Sequence, residues 1–226
     1  LAVLVFFKYY GFLLNTIGGI IGIHIPHPEL SLPIGLSFYT FRNLSYLFDI
    51  YLSKVSAQRN FLTFAVYSTM FPYTSAGPIV RYTDIETQLK QRTINISKFG
   101  TGAELFVKGL AKKVLLADNL SVLYSSICGH PQMSVFTSWL GILAYTMQLY
   151  FDFSGYSDMA IGLGKMLGFD FNKNFDYPYI STSVSEFWRR WHISLGSWFR
   201  DYIYIPLGGN RVSTLKHIRN ILVVWA

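Results

Sequence analysis

The chain has 226 residues, of which 51% are apolar, 18% aromatic and 14% charged, with a formal charge of +7 and a mean hydropathy of +0.32. Soluble domains carry about 25% charged residues, so an ordinary water-soluble globule is excluded, and a chain with this much apolar surface to bury is not disordered. The single cysteine, Cys128, excludes an internal disulfide and a multi-thiolate zinc site.

Residues 1–23 are apolar except for Lys8, whose long stem can extend toward headgroups, and form a first candidate span. No basic segment precedes them, so a cleaved signal peptide describes this start poorly. His24 and His27 flank Pro26 beside Glu29, a solvated loop rather than a metal site, since no further ligands follow. Residues 31–52 could cross a bilayer but carry Arg42 and Asp49, charges that at such depth face protein or a water-filled cavity. Between Arg59 and Arg81 there is no charge, and residues 61–80 are long enough to cross about 30 Å of hydrocarbon once. Residues 102–117 place Lys108, Lys112 and Lys113 among apolar neighbours, as an interfacial helix does. From Asp118 to Asp152 there is again no charge, and Pro131 divides this run before the apolar residues 135–151. The expectation is an all-α, polytopic integral membrane protein with interfacial or re-entrant helices. It forms a single membrane-embedded domain over residues 1–226, incomplete at both ends.

Residues 150–171 hold Asp152, Asp158 and Asp170 in an apolar neighbourhood. Carboxylates at such depth mark either a functional site or ion pairs with an arginine of a neighbouring helix. Gly155-Tyr156-Ser157-Asp158-Met159 lacks the last glycine of a nucleophile elbow. Gly162, Gly164 and Gly168 miss the nucleotide-binding spacings and read as close helix packing.

On a helical wheel, residues 185–204 place Trp188, Trp191, Leu195, Trp198, Phe199 and Tyr202 on one arc. Arg189, Arg190, Ser197, Arg200 and Asp201 fall on the other, with His192 at the edge of the aromatic arc. Such a helix is too polar to span and reads either as an anchor or as a cavity-lining element. Gly208 and Gly209 after Pro206 end it in a turn. Residues 220–226 open another apolar helix. Residues 187–226 carry six Lys or Arg against Asp201, and residues 81–113 are also basic. The positive-inside rule puts both on the cytoplasmic side, where anionic lipid or a phosphorylated molecule would be attracted; nucleic acid is not expected. Of the histidines, His130 and His217 sit at boundaries. Only His192 stands where apolar walls would keep an imidazole neutral and able to accept a proton.

Four segments in order then carry a resemblance. They are Phe71-Pro72-Tyr73-Thr74-Ser75-Ala76-Gly77-Pro78-Ile79-Val80-Arg81-Tyr82; Tyr150-Phe151-Asp152-Phe153-Ser154-Gly155-Tyr156-Ser157-Asp158-Met159-Ala160; Phe187-Trp188-Arg189-Arg190-Trp191-His192-Ile193-Ser194-Leu195; and Phe199-Arg200-Asp201-Tyr202 with Ile205-Pro206-Leu207-Gly208-Gly209-Asn210-Arg211. Together the chain resembles the membrane-bound O-acyltransferase family, and within it the bacterial alginate O-acetyltransferase branch.

The resemblance implies a helical fold around a tunnel in the bacterial plasma membrane. It implies transfer of an acetyl or other acyl group from a cytoplasmic thioester such as acetyl-CoA to a hydroxyl of an extracytoplasmic polysaccharide, alginate-like or peptidoglycan. It further implies no bound cofactor or metal and an extracytoplasmic partner protein. His192 takes the upstream of two family histidine positions as a catalytic residue; the second, held in the family to be the principal catalytic histidine, lies beyond Ala226, so this segment alone would be inactive. Asp152, Ser154, Asp158, Trp188, Arg189, Trp191, Arg200 and Asp201 become substrate-binding candidates, with Arg189 and Arg200 holding the donor or a carboxylate such as Asp152 or Asp158. The alternatives are D-alanyl transfer to teichoic acid, and a transporter or scaffold for polysaccharide export. An inverted repeat would favour the transporter, and none is found.

Overall fold

A computed structural model of the chain describes residues 2–225 except Glu29, Ala76 and Pro131. Glu29 belongs to the His24/His27 reading and lies outside the described residues. Every regular element among the described residues is helical.

The first helix, α1 (Ala2–Ile21), is 20 residues long, enough to cover about 30 Å, and Gly18 is its one buried residue. Among the described residues it is the one helix both long and apolar enough to cross a membrane. The His27 ring packs edge-on to Tyr10, and its Nδ1 bonds to the Ile25 carbonyl. No group of three or more metal-ligating side chains occurs among the described residues.

Helix α2 (Leu36–Tyr51) starts only after Pro33 and Gly35. At Gly35 φ is +76°, and a Cβ would lie 2.1 Å from the Thr74 carbonyl oxygen, so the position demands glycine. Its two charges, Arg42 and Asp49, are two turns apart and both buried, facing protein as expected.

Residues 61–80 do not form the single span expected of them. Helix α3 (Phe61–Thr69), capped by Asn60 accepting from the amides of Leu62 and Thr63, stops after nine residues. Met70 is extended at ψ 119°, and Phe71–Tyr73 form one 3₁₀ turn. Pro72 explains the stop: it lacks the amide that would bond the Ser68 carbonyl, and its ring would clash with that carbonyl in a continued helix. After this loop, α4 (Tyr82–Lys90) packs back on α2 and α3.

Tyr46, Tyr67, Tyr73, Tyr82, Phe169 and Phe171 form a buried aromatic cluster at this junction. Arg42, fully buried, donates to the carbonyls of Ser68 and Tyr73 at 2.7 Å each, with its guanidinium 4.1 Å from the Tyr73 ring centre. It thus satisfies two carbonyls that the α3 break leaves free. Replacing Arg42 by methionine strands both acceptors in an apolar setting, at about 1–3 kcal/mol each. The expected result is a clear loss of thermal stability in detergent, read by the unfolding midpoint.

The largest unit is a helical hairpin. Its first arm runs without a break through α5 (Ile96–Ala111), a π-helical turn at Lys112–Ala117, and α6 (Asp118–Cys128). Residues 102–117, expected as a separate interfacial helix, are the middle of this rod. The return arm, α7 (Val135–Met166), is 32 residues long, about 48 Å at 1.5 Å per residue. It joins the apolar residues 135–151 to the carboxylate-bearing stretch that follows. The arms touch backbone to backbone at Gly102 against Gly162 and at Gly109 against Gly155. Those glycines are packing residues, as expected for Gly162. Gly168 instead ends α7 in a turn at φ +89°. Away from these contacts, Val122, Val135, Phe136, Trp139, Ile142 and Leu143 present apolar surface outward.

Residues 185–204, expected as one helix, are broken. They form α8 (Val184–Arg190), α9 (Ile193–Phe199) and a π-helical turn at Arg200–Tyr204, with His192 between the first two at φ +44°, ψ 53°. The single aromatic arc is therefore divided. Trp191 packs into Phe175, Phe187 and Tyr150, whereas Trp198 and Tyr202 pack against Phe41 and Phe48 of α2. The Trp198 indole N–H donates to the Phe41 carbonyl at 3.0 Å. Gly208 and Gly209 make the expected turn with φ of +100° and +56°. The closing helix α10 (Thr214–Trp225) begins six residues before the apolar stretch at 220–226.

Candidate functional site

Helix α9 is a partition between two cavities, and its sequence assigns one face to each. His192, Leu195, Gly196 and Phe199, spaced as one face of a helix, look into an apolar cavity of about 380 Å³ completed by Trp188, Tyr204, Ile221, Val224 and Trp225. Ile193, Ser194 and Ser197 look the other way, into a polar cavity of about 250 Å³ bounded by residues 78–81, Asp84, Lys173 and Asp201. Arg200 lines both.

His192 is buried at 8% exposure. Phe153 of α7 meets its ring edge-on at 4.8 Å, and Phe175 lies parallel at 6.5 Å. The residue sits in a junction too short to span a membrane. Burial pulls its imidazole down to about 4, which keeps it neutral at pH 7. Its left-handed backbone is uncommon for a side chain with a Cβ and marks stored strain. That strain is held by Asn174: its carbonyl accepts the Ile193 amide at 2.9 Å, and its Oδ1 lies 3.1 Å from His192 Nδ1. Asn174 Oδ1 also accepts from the Ser194 amide at 3.2 Å and the Ser194 hydroxyl at 2.8 Å, and Ser194 Oγ accepts from the Ile79 amide at 3.0 Å.

Of the sequence-predicted site residues, the structure brings His192, Trp188 and Arg200 to the apolar cavity and Arg200 and Asp201 to the polar one. Trp188 meets Trp225 edge-on at 5.3 Å. Arg200 Nε donates to Asp201 at 2.7 Å, and Asp201 also pairs with Arg81 at 2.8 Å. Trp191 belongs to the aromatic packing instead, and Arg189 points outward, exposed.

The carboxylates of α7 are partnered differently from the arginine pairing expected. Lys113 bonds Asp152 at 2.7 Å and Lys112 bonds Asp158 at 2.6 Å, because the π-helical turn aims both lysines of the first arm at the second. Arg189 and Arg200 therefore hold neither aspartate. Asp170 pairs with Lys98. Ser154 is buried in α7 with a hydroxyl that has no partner among the described residues, as is Ser157. Asp158 and Asn174 line a further cavity of about 200 Å³ with Lys112, Tyr150 and Asp176.

Nothing in the sequence marks Asn174, since a lone asparagine in a Lys-Asn-Phe-Asp loop matches no motif. Arg81 lies in the first of the four resembling segments and Lys112 in the basic stretch of residues 102–117, with no sign in either of the carboxylate it pairs with.

Chemically, an apolar cavity with a neutral imidazole in its wall and a guanidinium at its edge can hold an acyl chain or thioester arm and take a proton from a hydroxyl. Of the chain, 99% aligns at 48% identity with 44% of the probable alginate O-acetylase of Pseudomonas aeruginosa. A peptidoglycan O-acetyltransferase of Helicobacter pylori is 35% identical over 97% of the chain and 47% of its own length. A teichoic acid D-alanyltransferase of Bacillus subtilis is 28% identical over 80% of the chain and 47% of its own length. The chain spans less than half the length of each of these relatives. The membrane-bound O-acyltransferase family matches residues 35–226, which include the broken helix, both cavities and His192, and the chain belongs to that family.

Proposed function

We propose that the complete protein transfers an acetyl group from a cytoplasmic thioester, acetyl-CoA or another acyl carrier, to a hydroxyl of an extracytoplasmic polysaccharide. The observation that carries this reading is a buried His192 in the wall of an apolar cavity, with Arg200 at its edge. In the step envisaged, the imidazole takes the proton of the acceptor hydroxyl as its oxygen attacks the thioester carbonyl. The carbon–sulfur bond then breaks, and the imidazolium returns its proton to the leaving thiolate, so no metal or resident cofactor is needed. The names of the relatives support a polysaccharide acceptor and O-acetyl rather than D-alanyl transfer, because the O-acetylating proteins are the more similar.

The same reading takes the described residues as one membrane-embedded acyltransferase unit of a multi-pass bacterial plasma-membrane protein, working with an extracytoplasmic partner protein. The span-length α1, the two hairpin arms and their outward apolar side chains support it. The basic stretches would face the cytoplasm, where the donor's phosphates are.

Deletion of the gene is the direct test. Ester-linked acetate on the surface polysaccharide falls to background and returns with the whole gene; unchanged ester content overturns the proposal. Arg200→Ala probes the donor side. Arg200 is 62% exposed and bonds its own neighbour Asp201, so its loss costs under about 1 kcal/mol of stability. Transfer is expected to fall about tenfold, the worth of one charged contact, with an unchanged amount of folded protein on a blot.

A further inference from the structure

The geometry points to Asn174 as a positioning residue that sets which nitrogen of His192 reacts, an inference that rests on the acyltransferase reading above. The Ser194 backbone amide can only donate, and it lies 3.2 Å from the Asn174 side-chain atom that also receives the Ser194 hydroxyl. That atom must therefore be the amide oxygen; turning the side chain over would set two N–H donors against each other. The Ser194 hydroxyl is itself oriented, because its oxygen accepts from the Ile79 amide at 3.0 Å and its proton is left to point at Asn174.

With an oxygen at 3.1 Å, a neutral His192 has to carry its proton on Nδ1. The lone pair then falls on Nε2, which has no hydrogen-bond partner among the described residues, while the imidazole lines the apolar cavity. The relay runs from the Ile79 amide through the Ser194 hydroxyl and Asn174 Oδ1 to the imidazole, and so ties the Gly-Pro-Ile-Val-Arg loop to the Trp-His segment. The left-handed backbone at His192 fits the same purpose, since the Asn174 carbonyl holds the Ile193 amide on the far side of the kink. A histidine's reactive nitrogen is set by the bond its other nitrogen makes. Here that bond comes from a neutral amide, which fixes the tautomer without adding a charge to a buried site.

The test uses the complete protein in lipid nanodiscs with ¹⁵N-labelled histidine, the His192 signals being identified by their absence from His192→Gln. Wild type is expected to show the Nδ1–H tautomer. Asn174→Leu removes the acceptor and is expected to mix the tautomers and to lower kcat for acetyl transfer about 100-fold, the worth of a correctly placed base, with KM for the acetyl thioester little changed. Asn174→Asp keeps an acceptor oxygen and is expected to keep the Nδ1–H form and to recover part of the rate, which a purely structural loss would not do. An Nε2–H tautomer in wild type overturns the inference, as does an Asn174→Leu protein with unchanged tautomer and kcat. Should Asn174→Leu fail to fold, the wild-type tautomer and the Asn174→Asp result decide alone. If the wild-type tautomer is as expected but no acetyl is transferred, the functional reading fails and the positioning by Asn174 stands.

Discussion

His192→Gln in the complete protein is expected to reduce acetyl transfer by about 100-fold or more, the range lost with a general base, while the protein still inserts and accumulates normally. Glutamine is close in size and can still donate to Asn174 Oδ1, so the packing of α8 against α9 and the contact with Phe153 lose little. What disappears is the basic nitrogen. The measurement is initial rate with saturating thioester, compared at equal amounts of folded protein. A rate within a few-fold of wild type would remove His192 from the mechanism and leave the apolar cavity as a binding site alone.

The second large effect concerns the hairpin that carries Phe153 to the site. Gly109→Ala puts a Cβ 2.5 Å from the Gly155 carbonyl oxygen and 2.7 Å from the Met159 amide nitrogen, both backbone atoms that cannot swing aside. The arms must separate along their length, because the Gly102 and Gly162 contact two turns away is equally close. Overpacking of this kind costs about 1–3 kcal/mol, occasionally more, and separating the arms also draws Lys112 and Lys113 away from Asp158 and Asp152. The expected result is a markedly lower unfolding midpoint in detergent, and for Gly109→Leu no recoverable folded protein. Gly100→Ala is the control: it lies in the same helix with nothing within 4 Å of its Cβ, and is expected to be neutral or slightly stabilising. Equal loss from both variants would mean that the arms are not held by the close glycine contact.

The sequence motifs and the site coincide more closely than the helix boundaries do. The apolar first helix, the glycine turn at 208–209, the burial of Arg42 and Asp49 and the place of His192 against an aromatic wall were all legible, because each follows from local composition or chain geometry. The stop of α3 is signalled by Pro72 but hidden from hydropathy, because a charge-free run of 21 residues outweighs one proline when only hydropathy is counted. The break at His192 has no local signal of that kind. Periodicity carries smoothly from Ser185 to Tyr204, and the kink is imposed from outside, by the carbonyl and side chain of Asn174, which arrive from a loop 18 residues upstream. The carboxylates of α7 stand out in the sequence as charges in an apolar stretch, but the choice of lysine over arginine depends on the π-helical turn that rotates Lys112 and Lys113 toward α7. Asn174 lay outside every motif because its role is to join two of them.

The decisive measurement is labelled acetyl transfer in proteoliposomes holding the complete protein, with acetyl thioester on the side of the basic loops and soluble polysaccharide on the other. Label in base-labile ester linkage on the polysaccharide is expected with wild type, and label near background with His192→Gln. Polysaccharide labelled equally by both proteins, or by neither while the polymer itself crosses the bilayer, would contradict the proposal.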